Sequence, residues 1–219
     1  MAIVAGTAPH PIYLAGRWVD SPHRLVVDRA GFPGEIAGST FTATPEQYDA
    51  AVDAAVAAFD VTRRMPAYER ARILHAISDG IRQRRDELGT LIAVEAGKPI
   101  RDALTEVDRA VITFRLGAEE AERLTGEVIP LDIAPASRGR IGVVRRFPIG
   151  PVAGISPFNF PLNLAAHKVA PAIAAGDPIV LKPPSRDPLV MLAVAEIIDA
   201  AGAPPGSVSV LPMTRESPP

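Results

Sequence analysis

The stretch Val152-Ala153-Gly154-Ile155-Ser156-Pro157-Phe158-Asn159-Phe160-Pro161-Leu162-Asn163 decides the reading of this chain. A short apolar run, Val152 to Ile155, bounded by a proline-braced turn reads as a strand. The residues after the turn, from about Pro161 to Ala175, carry a helical pattern. The order then repeats: a strand over Pro178 to Leu181, a helix over Pro188 to Ala201 and a strand over Val208 to Leu211. Strand and helix alternating in this way predict a parallel sheet with right-handed crossovers, an α/β fold.

Upstream, the pattern is different. Tyr13-Leu14-Ala15-Gly16-Arg17-Trp18-Val19-Asp20 reads as a short edge hairpin turning at Gly16, followed by an extended, Pro/Gly-containing region to Ala43. Thr44-Pro45-Glu46-Gln47 has the form of a capping box and predicts a helix with Val52, Val56 and Phe59 at helical spacing. Pro66 opens a second helical stretch whose stripe is Ile73, Ile77 and Ile81, continued by Leu88, Leu91 and Ile92 up to a break at Gly97-Lys98-Pro99. A third helix follows to about Leu124, with Leu104, Val107, Val111 and Phe114 apolar and Arg101, Glu106, Arg109 and Arg115 at polar positions. Val128-Ile129-Pro130-Leu131 and the run from Ile141 to Phe147 then read as a β arm. The organisation expected is an amino-terminal hairpin and helices over 1–125, an arm over 126–150, and the first three strands of a Rossmann-like unit over 151–219.

Composition bounds the function. The chain of 219 residues is 47% hydrophobic and 22% charged, with net charge −2 and no cysteine. Enough apolar residues are present for a sizeable core. Nothing in the charge favours nucleic acid or an anionic membrane as partner. No run approaches the roughly 18 apolar residues of a membrane span, and the first residues lack a basic start and apolar run, so a cytoplasmic location is expected. Disulfides, thiolate metal sites and a thiol nucleophile are excluded from these residues.

Chemistry concentrates at the ends of the first two parallel strands. The chain uses three lysines, Lys98, Lys168 and Lys182, and two asparagines, Asn159 and Asn163, and four of these five fall between Asn159 and Lys182. Ligands of open α/β sheets bind at the carboxyl ends of the strands. The amide of Asn159 is placed there to donate to a ligand oxygen. Spacing alone leaves open that it caps the helix or closes the turn. Lys182, ending Ile179-Val180-Leu181-Lys182, is placed to hold ribose hydroxyls or a phosphate, against the alternative of a solvated strand-end lysine. His10, His23, His75 and His167 lack metal-ligand spacing, and His75 reads as a core residue on an apolar helix. Glu95-Ala96-Gly97-Lys98 reads as a helix end ordering a turn, and Arg82, Arg84 and Arg85 as a solvated face.

Four segments together resemble the aldehyde dehydrogenase superfamily: Leu14-Ala15-Gly16-Arg17-Trp18, Glu95-Ala96-Gly97-Lys98-Pro99, Pro157-Phe158-Asn159-Phe160-Pro161 and Leu181-Lys182-Pro183-Pro184-Ser185. The resemblance implies NAD(P)-dependent oxidation of an aldehyde to a carboxylic acid. In that chemistry a cysteine attacks the carbonyl, hydride leaves for the nicotinamide, and a glutamate-activated water releases the acid. By resemblance Asn159 is the oxyanion donor, Ile155, Ser156, Pro157 and Phe158 line the cofactor cleft, and Lys182 binds the adenosine ribose. Ser185 stands where NAD-preferring members often carry a glutamate, and beside Lys182 it leans the expectation towards NADP, with NAD as the alternative.

The family's nucleophilic cysteine, general-base glutamate and oligomerising strand all follow the portion matched here. The chain therefore reads as an amino-terminal portion, inactive alone, with a sheet edge and apolar helix faces left uncovered. The alternatives are a non-catalytic binding or assembly module, paired with a complementing chain or with copies of itself as a homo-oligomer, and a gene remnant ending in Glu216-Ser217-Pro218-Pro219. The aldehyde itself is not legible.

Overall fold

A computed structural model describes residues 8–214, so the tail segment 215–219 lies outside the described residues. The chain opens with two hairpins, β1 (Ile12–Leu14) with β2 (Arg17–Val19) and β3 (His23–Asp28) with β4 (Ile36–Thr42). Helices α1 (Pro45–Thr62), α2 (Ala67–Gln83), α3 (Arg85–Ala96) and α4 (Ile100–Arg123) follow. A third hairpin, β5 (Glu127–Pro130) with β6 (Ile141–Val144), leads to the alternating unit: β7 (Val152–Ile155), α5 (Asn163–Ala175), β8 (Ile179–Lys182), α6 (Leu189–Ala200) and β9 (Val208–Val210).

The parallel unit forms as its pattern requires, with β7, β8 and β9 in register. The sheet is larger than the three strands expected. Its order is β2-β1-β9-β8-β7, because the first hairpin docks antiparallel on β9 through Tyr13 and Val210. The turn of that hairpin has φ of 53° at Ala15 and 87° at Gly16, the primed geometry whose twist suits two short strands. Ala15 lacks glycine's freedom there, and its N–H is held by the Ser209 hydroxyl of β9 at 3.0 Å. The pairing joins residues nearly the whole chain apart, so local pattern carries no trace of it. The extended region before Ala43 likewise folds back on itself as β3 and β4 rather than running as one strand.

Side chains alternate across the sheet. Val180 faces a small cluster with Ile12, Ala51, Ala55 and Leu211, while Ile179, Leu181, Val208 and Val210 face the main core with α5 and α6. The capping box at Thr44 is present, with Thr44 and Gln47 bonded reciprocally. The buried stripe of α1 differs from the expectation. Ala51, Ala55, Ala58 and Thr62 are buried, whereas Val52 and Val56 are exposed. Small side chains let the helix lie close to the sheet, and Gly206 approaches the same helix so closely that an added Cβ would stand 2.7 Å from the Ala54 carbonyl.

Behind α5 and α6 pack α2, α3 and α4. The stretch expected as one helix is two, broken at Arg84, with Ile73, Ile77, Ile81, Leu88, Leu91 and Ile92 buried throughout. Gly97 ends α3 in the left-handed conformation, as a helix end requires. The β5–β6 arm forms as a hairpin, and Val128, Ile141 and Val143 on it are exposed.

Candidate functional site

Strands β7 and β8 end side by side. Ile155 pairs with Lys182 in the parallel register, and the Ser156 N–H donates to the Lys182 carbonyl at 3.0 Å. The two segments singled out in the sequence therefore meet at the carboxyl edge of one sheet. Lys182 Nζ donates to Ser185 Oγ at 2.9 Å. Ile155 and Phe158, 69% and 63% exposed, form an apolar surface beside this pair. Ser156 is buried, and its Oγ has no hydrogen-bond partner among the described residues.

Asn159 lies exposed in the turn between β7 and α5, with no side-chain hydrogen bond among the described residues. It does not cap the helix. The cap position is held by Leu162, whose side chain is in the core and supplies no cap bond. The cap comes from another element. Glu106 on α4, one of the polar positions of that helix, is 1% exposed, and its Oε1 accepts from the N–H groups of Leu162 and Asn163 at 3.0 and 3.1 Å. Its Oε2 accepts from Lys98 Nζ, which also sits 3.8 Å from the centroid of the Phe160 ring.

A second long-range cap repeats the device. Glu95, at the end of α3, accepts from the N–H groups of Leu189 and Val190 at 2.7 and 3.0 Å and so closes the start of α6. Two carboxylates thus bind the positive ends of two sheet-flanking helices. Burial pushes the Glu95 carboxyl well above its ordinary range, against the two amide bonds that favour its charge, and Asp187 adds to the rise. Asp187 is buried, its Oδ1 has no hydrogen-bond partner among the described residues, and its pKa is pushed up to about 7 by burial first and then by the Glu106 carboxylate, with Lys98 opposing.

One signal for Glu106 was present in the sequence. It lies three residues after Ala103 and four before Ala110, on the buried phase of α4 rather than its polar face. Two other expectations fail. His75 is exposed, since it lies off the Ile73–Ile77–Ile81 stripe. Arg84 is no free surface group: it bonds Glu87 at 2.6 Å, Glu196 at 2.8 Å and the Ala193 carbonyl at 3.1 Å, tying α2 to α6. Among the described residues no group of three or more His, Asp or Glu is placed to hold a metal ion, and no helix is long and apolar enough to cross a membrane.

Comparison with known proteins gives the same frame. The family model for the aldehyde dehydrogenase family matches residues 18–217. The chain belongs to the aldehyde dehydrogenase family. It is 37% identical over 200 residues to 3-sulfolactaldehyde dehydrogenase of Priestia aryabhattai, a match covering 91% of this chain and 41% of that protein. Aldehyde dehydrogenase 21 from Physcomitrella patens, whose crystal structure holds the reaction product succinate, superposes with a TM-score of 0.91 at 44% identity, covering 96% of this chain and 44% of that one. The NADP-dependent glyceraldehyde-3-phosphate dehydrogenase of Bacillus halodurans, solved with NADP, superposes with a TM-score of 0.88 at 34% identity, covering 94% of this chain and 44% of that one. The chain spans about 40% of the length of the relatives it matches.

Proposed function

We propose that this chain supplies the oxyanion donor and one edge of the dinucleotide cleft of an NAD(P)-dependent aldehyde dehydrogenase. The enzyme would oxidise an aldehyde to a carboxylic acid once a cysteine-bearing segment completes the site. The observation that carries the reading is the register of Ile155 with Lys182, which puts an unengaged amide and a lysine–serine pair on the same sheet edge.

The residues suit a dinucleotide on chemical grounds. Ile155 and Phe158 present exposed apolar surface to a ring or sugar, and the hydroxyl of buried Ser156 has no partner among the described residues. Lys182 and Ser185 supply a cation and a hydroxyl for the ribose. No carboxylate stands at position 185 to repel a 2′-phosphate, which favours NADP over NAD. When bound, NAD(P) supplies the hydride acceptor. The amide of Asn159 donates to the aldehyde oxygen as thiolate attack places negative charge on it. The thiol must come from outside these 219 residues, which contain no cysteine. A reactive thiol of this kind belongs in a reducing compartment, and we place the protein in the cytoplasm on that ground.

Calorimetry with NADP and NAD tests the reading, with Lys182→Ala alongside. The expected result is tighter binding of NADP, loss of that binding in the variant, and no oxidation of propanal by the chain alone. Equal affinities would remove the NADP preference. Turnover without a partner would remove the requirement for an external thiol. A second reading rests on the β5–β6 hairpin, where Val128, Ile133, Ile141 and Val143 are exposed together. Such an arm suits assembly, with copies of itself or with a complementing chain. A folded chain that binds neither dinucleotide, yet sediments as a dimer or larger, would favour assembly over cofactor recognition.

A further inference from the structure

An oxyanion donor works only when held within about 0.5 Å of its productive position, yet Asn159 has no side-chain hydrogen bond among the described residues. Pro157 and Pro161 fix φ at their own positions and leave the peptide planes around Asn159 free. The constraint must reach the turn from elsewhere. On one side, Lys98 Nζ lies 3.8 Å from the Phe160 ring, one residue beyond Asn159, and the Arg109 guanidinium stands 5.6 Å from the same ring. On the other side, Glu106 holds the Leu162 and Asn163 amides at 3.0 and 3.1 Å. Lys98 and Glu106 are bonded to each other, so both sides of the clamp are one unit.

A local cap would have been simpler. Thr44 closes α1 from within its own turn, whereas Leu162, with helical backbone angles and a buried apolar side chain, leaves the start of α5 without a local cap. A buried ion pair is poor economy if stability is its only use, since desolvation offsets most of its attraction. What a cap from α4 adds is position: it fixes the start of α5, and the turn before it, against a separate helix. We infer that Lys98 and Glu106 form a positioning pair for the Asn159 amide, acting through Phe160 and the first amides of α5 and touching no ligand themselves. The inference rests on the reading of Asn159 given under Proposed function, and its measurement is independent of activity.

Nitrogen-15 NMR of the 219-residue chain provides that measurement. Asn159→Ala identifies the backbone N–H of residue 159 by its shift, and the order of that N–H reports the turn that carries the side chain. Lys98→Met is expected to turn the Asn159 backbone N–H from ordered to mobile in heteronuclear NOE, and Lys98→Arg, which keeps the charge and the ring contact, to restore it. Glu106→Gln turns a donor towards Lys98, and backbone exchange at Leu162 and Asn163 should accelerate about tenfold or more. Glu95→Gln is the control for a purely structural cap: it should accelerate Leu189 and Val190 by a similar factor and leave Asn159 ordered. An unchanged Asn159 backbone N–H in folded Lys98→Met, a loss that Lys98→Arg does not restore, or equal disturbance by Glu95→Gln would each overturn the inference. If Glu106→Gln fails to fold, the Lys98 variants decide alone. Failure of the oxyanion reading shows separately, as turnover that survives Asn159→Ala in the cysteine-supplied enzyme.

Discussion

Ser185 is a small neutral group beside a cation, and its size and charge set what the sheet edge tolerates. Lys182 Nζ and Ser185 Oγ are 2.9 Å apart, and on the proposed reading the side chain at position 185 that meets the ribose is a neutral hydroxyl. Ser185→Glu would pair with Lys182 and repel a 2′-phosphate. We expect NADP affinity to fall about tenfold or more while NAD affinity is kept or improved, read by calorimetry on both dinucleotides. A parallel loss of both would count against the assignment. Asn159 makes a different case, because an exposed side chain without a hydrogen-bond partner among the described residues contributes little to stability. Asn159→Ala should therefore leave the unfolding free energy measured in urea within about 0.5 kcal/mol of the parent chain. In an enzyme supplied with the cysteine, the same change should lower kcat by ~10²–10³. A variant that unfolded early would show instead that the amide is a structural group.

Among the elements, α5 and α6 owe their starts to glutamates from α4 and α3. Glu95→Ala leaves the Leu189 and Val190 N–H groups buried without an acceptor, so the expected cost is about 1–3 kcal/mol in urea unfolding, larger than that of Glu95→Gln. A cost equal to that of a surface substitution would mean that the α6 start is held by packing alone. These caps mark where the sequence stopped being legible. Strands β7, β8 and β9 and the capping box at Thr44 could be read because their information is local: apolar runs, turns, and a reciprocal pair three residues apart. The β1–β9 pairing could not, since it depends on a register between distant segments. Val52 and Val56 misled because hydrophobicity was taken to decide the buried face of α1, where closeness to the sheet favours alanine. For the candidate site, strand ends and resemblance single out Asn159, Lys182 and their neighbours, and what the structure adds is that β7 and β8 end side by side. The capping role of Glu106 is not legible, because its charged type groups it with the polar positions of α4 while its partners lie more than 50 residues away.

For the molecule as a whole, Glu95, Glu106 and Asp187 bury three carboxyl groups, countered by the Lys98 ammonium and, at Asp187, by the neighbouring Arg186. Asp187 bears the imbalance most openly, with an oxygen that has no hydrogen-bond partner among the described residues and a pKa pushed up to about 7, against roughly 3.9 for an unfolded chain. Between those values the native state keeps a proton that the unfolded state has released. Stability is therefore greatest below about pH 4 with respect to this group, and falls as pH rises towards 7. Glu95, shifted in the same direction, adds to the slope. Asp187→Asn keeps the shape and removes the titration. Near pH 4 the variant and parent should melt together, apart from any small packing difference. At pH 8 the parent carries the full cost of burying the charge, and the variant should melt several degrees higher, at about 2–4 °C for each kcal/mol recovered. Melting curves at the two pH values decide it. A constant gap between them would mean that Asp187 acts through packing and hydrogen bonding alone, and an earlier melt of the variant at pH 8 would mean that Lys98 stabilises the charged carboxylate more than burial penalises it.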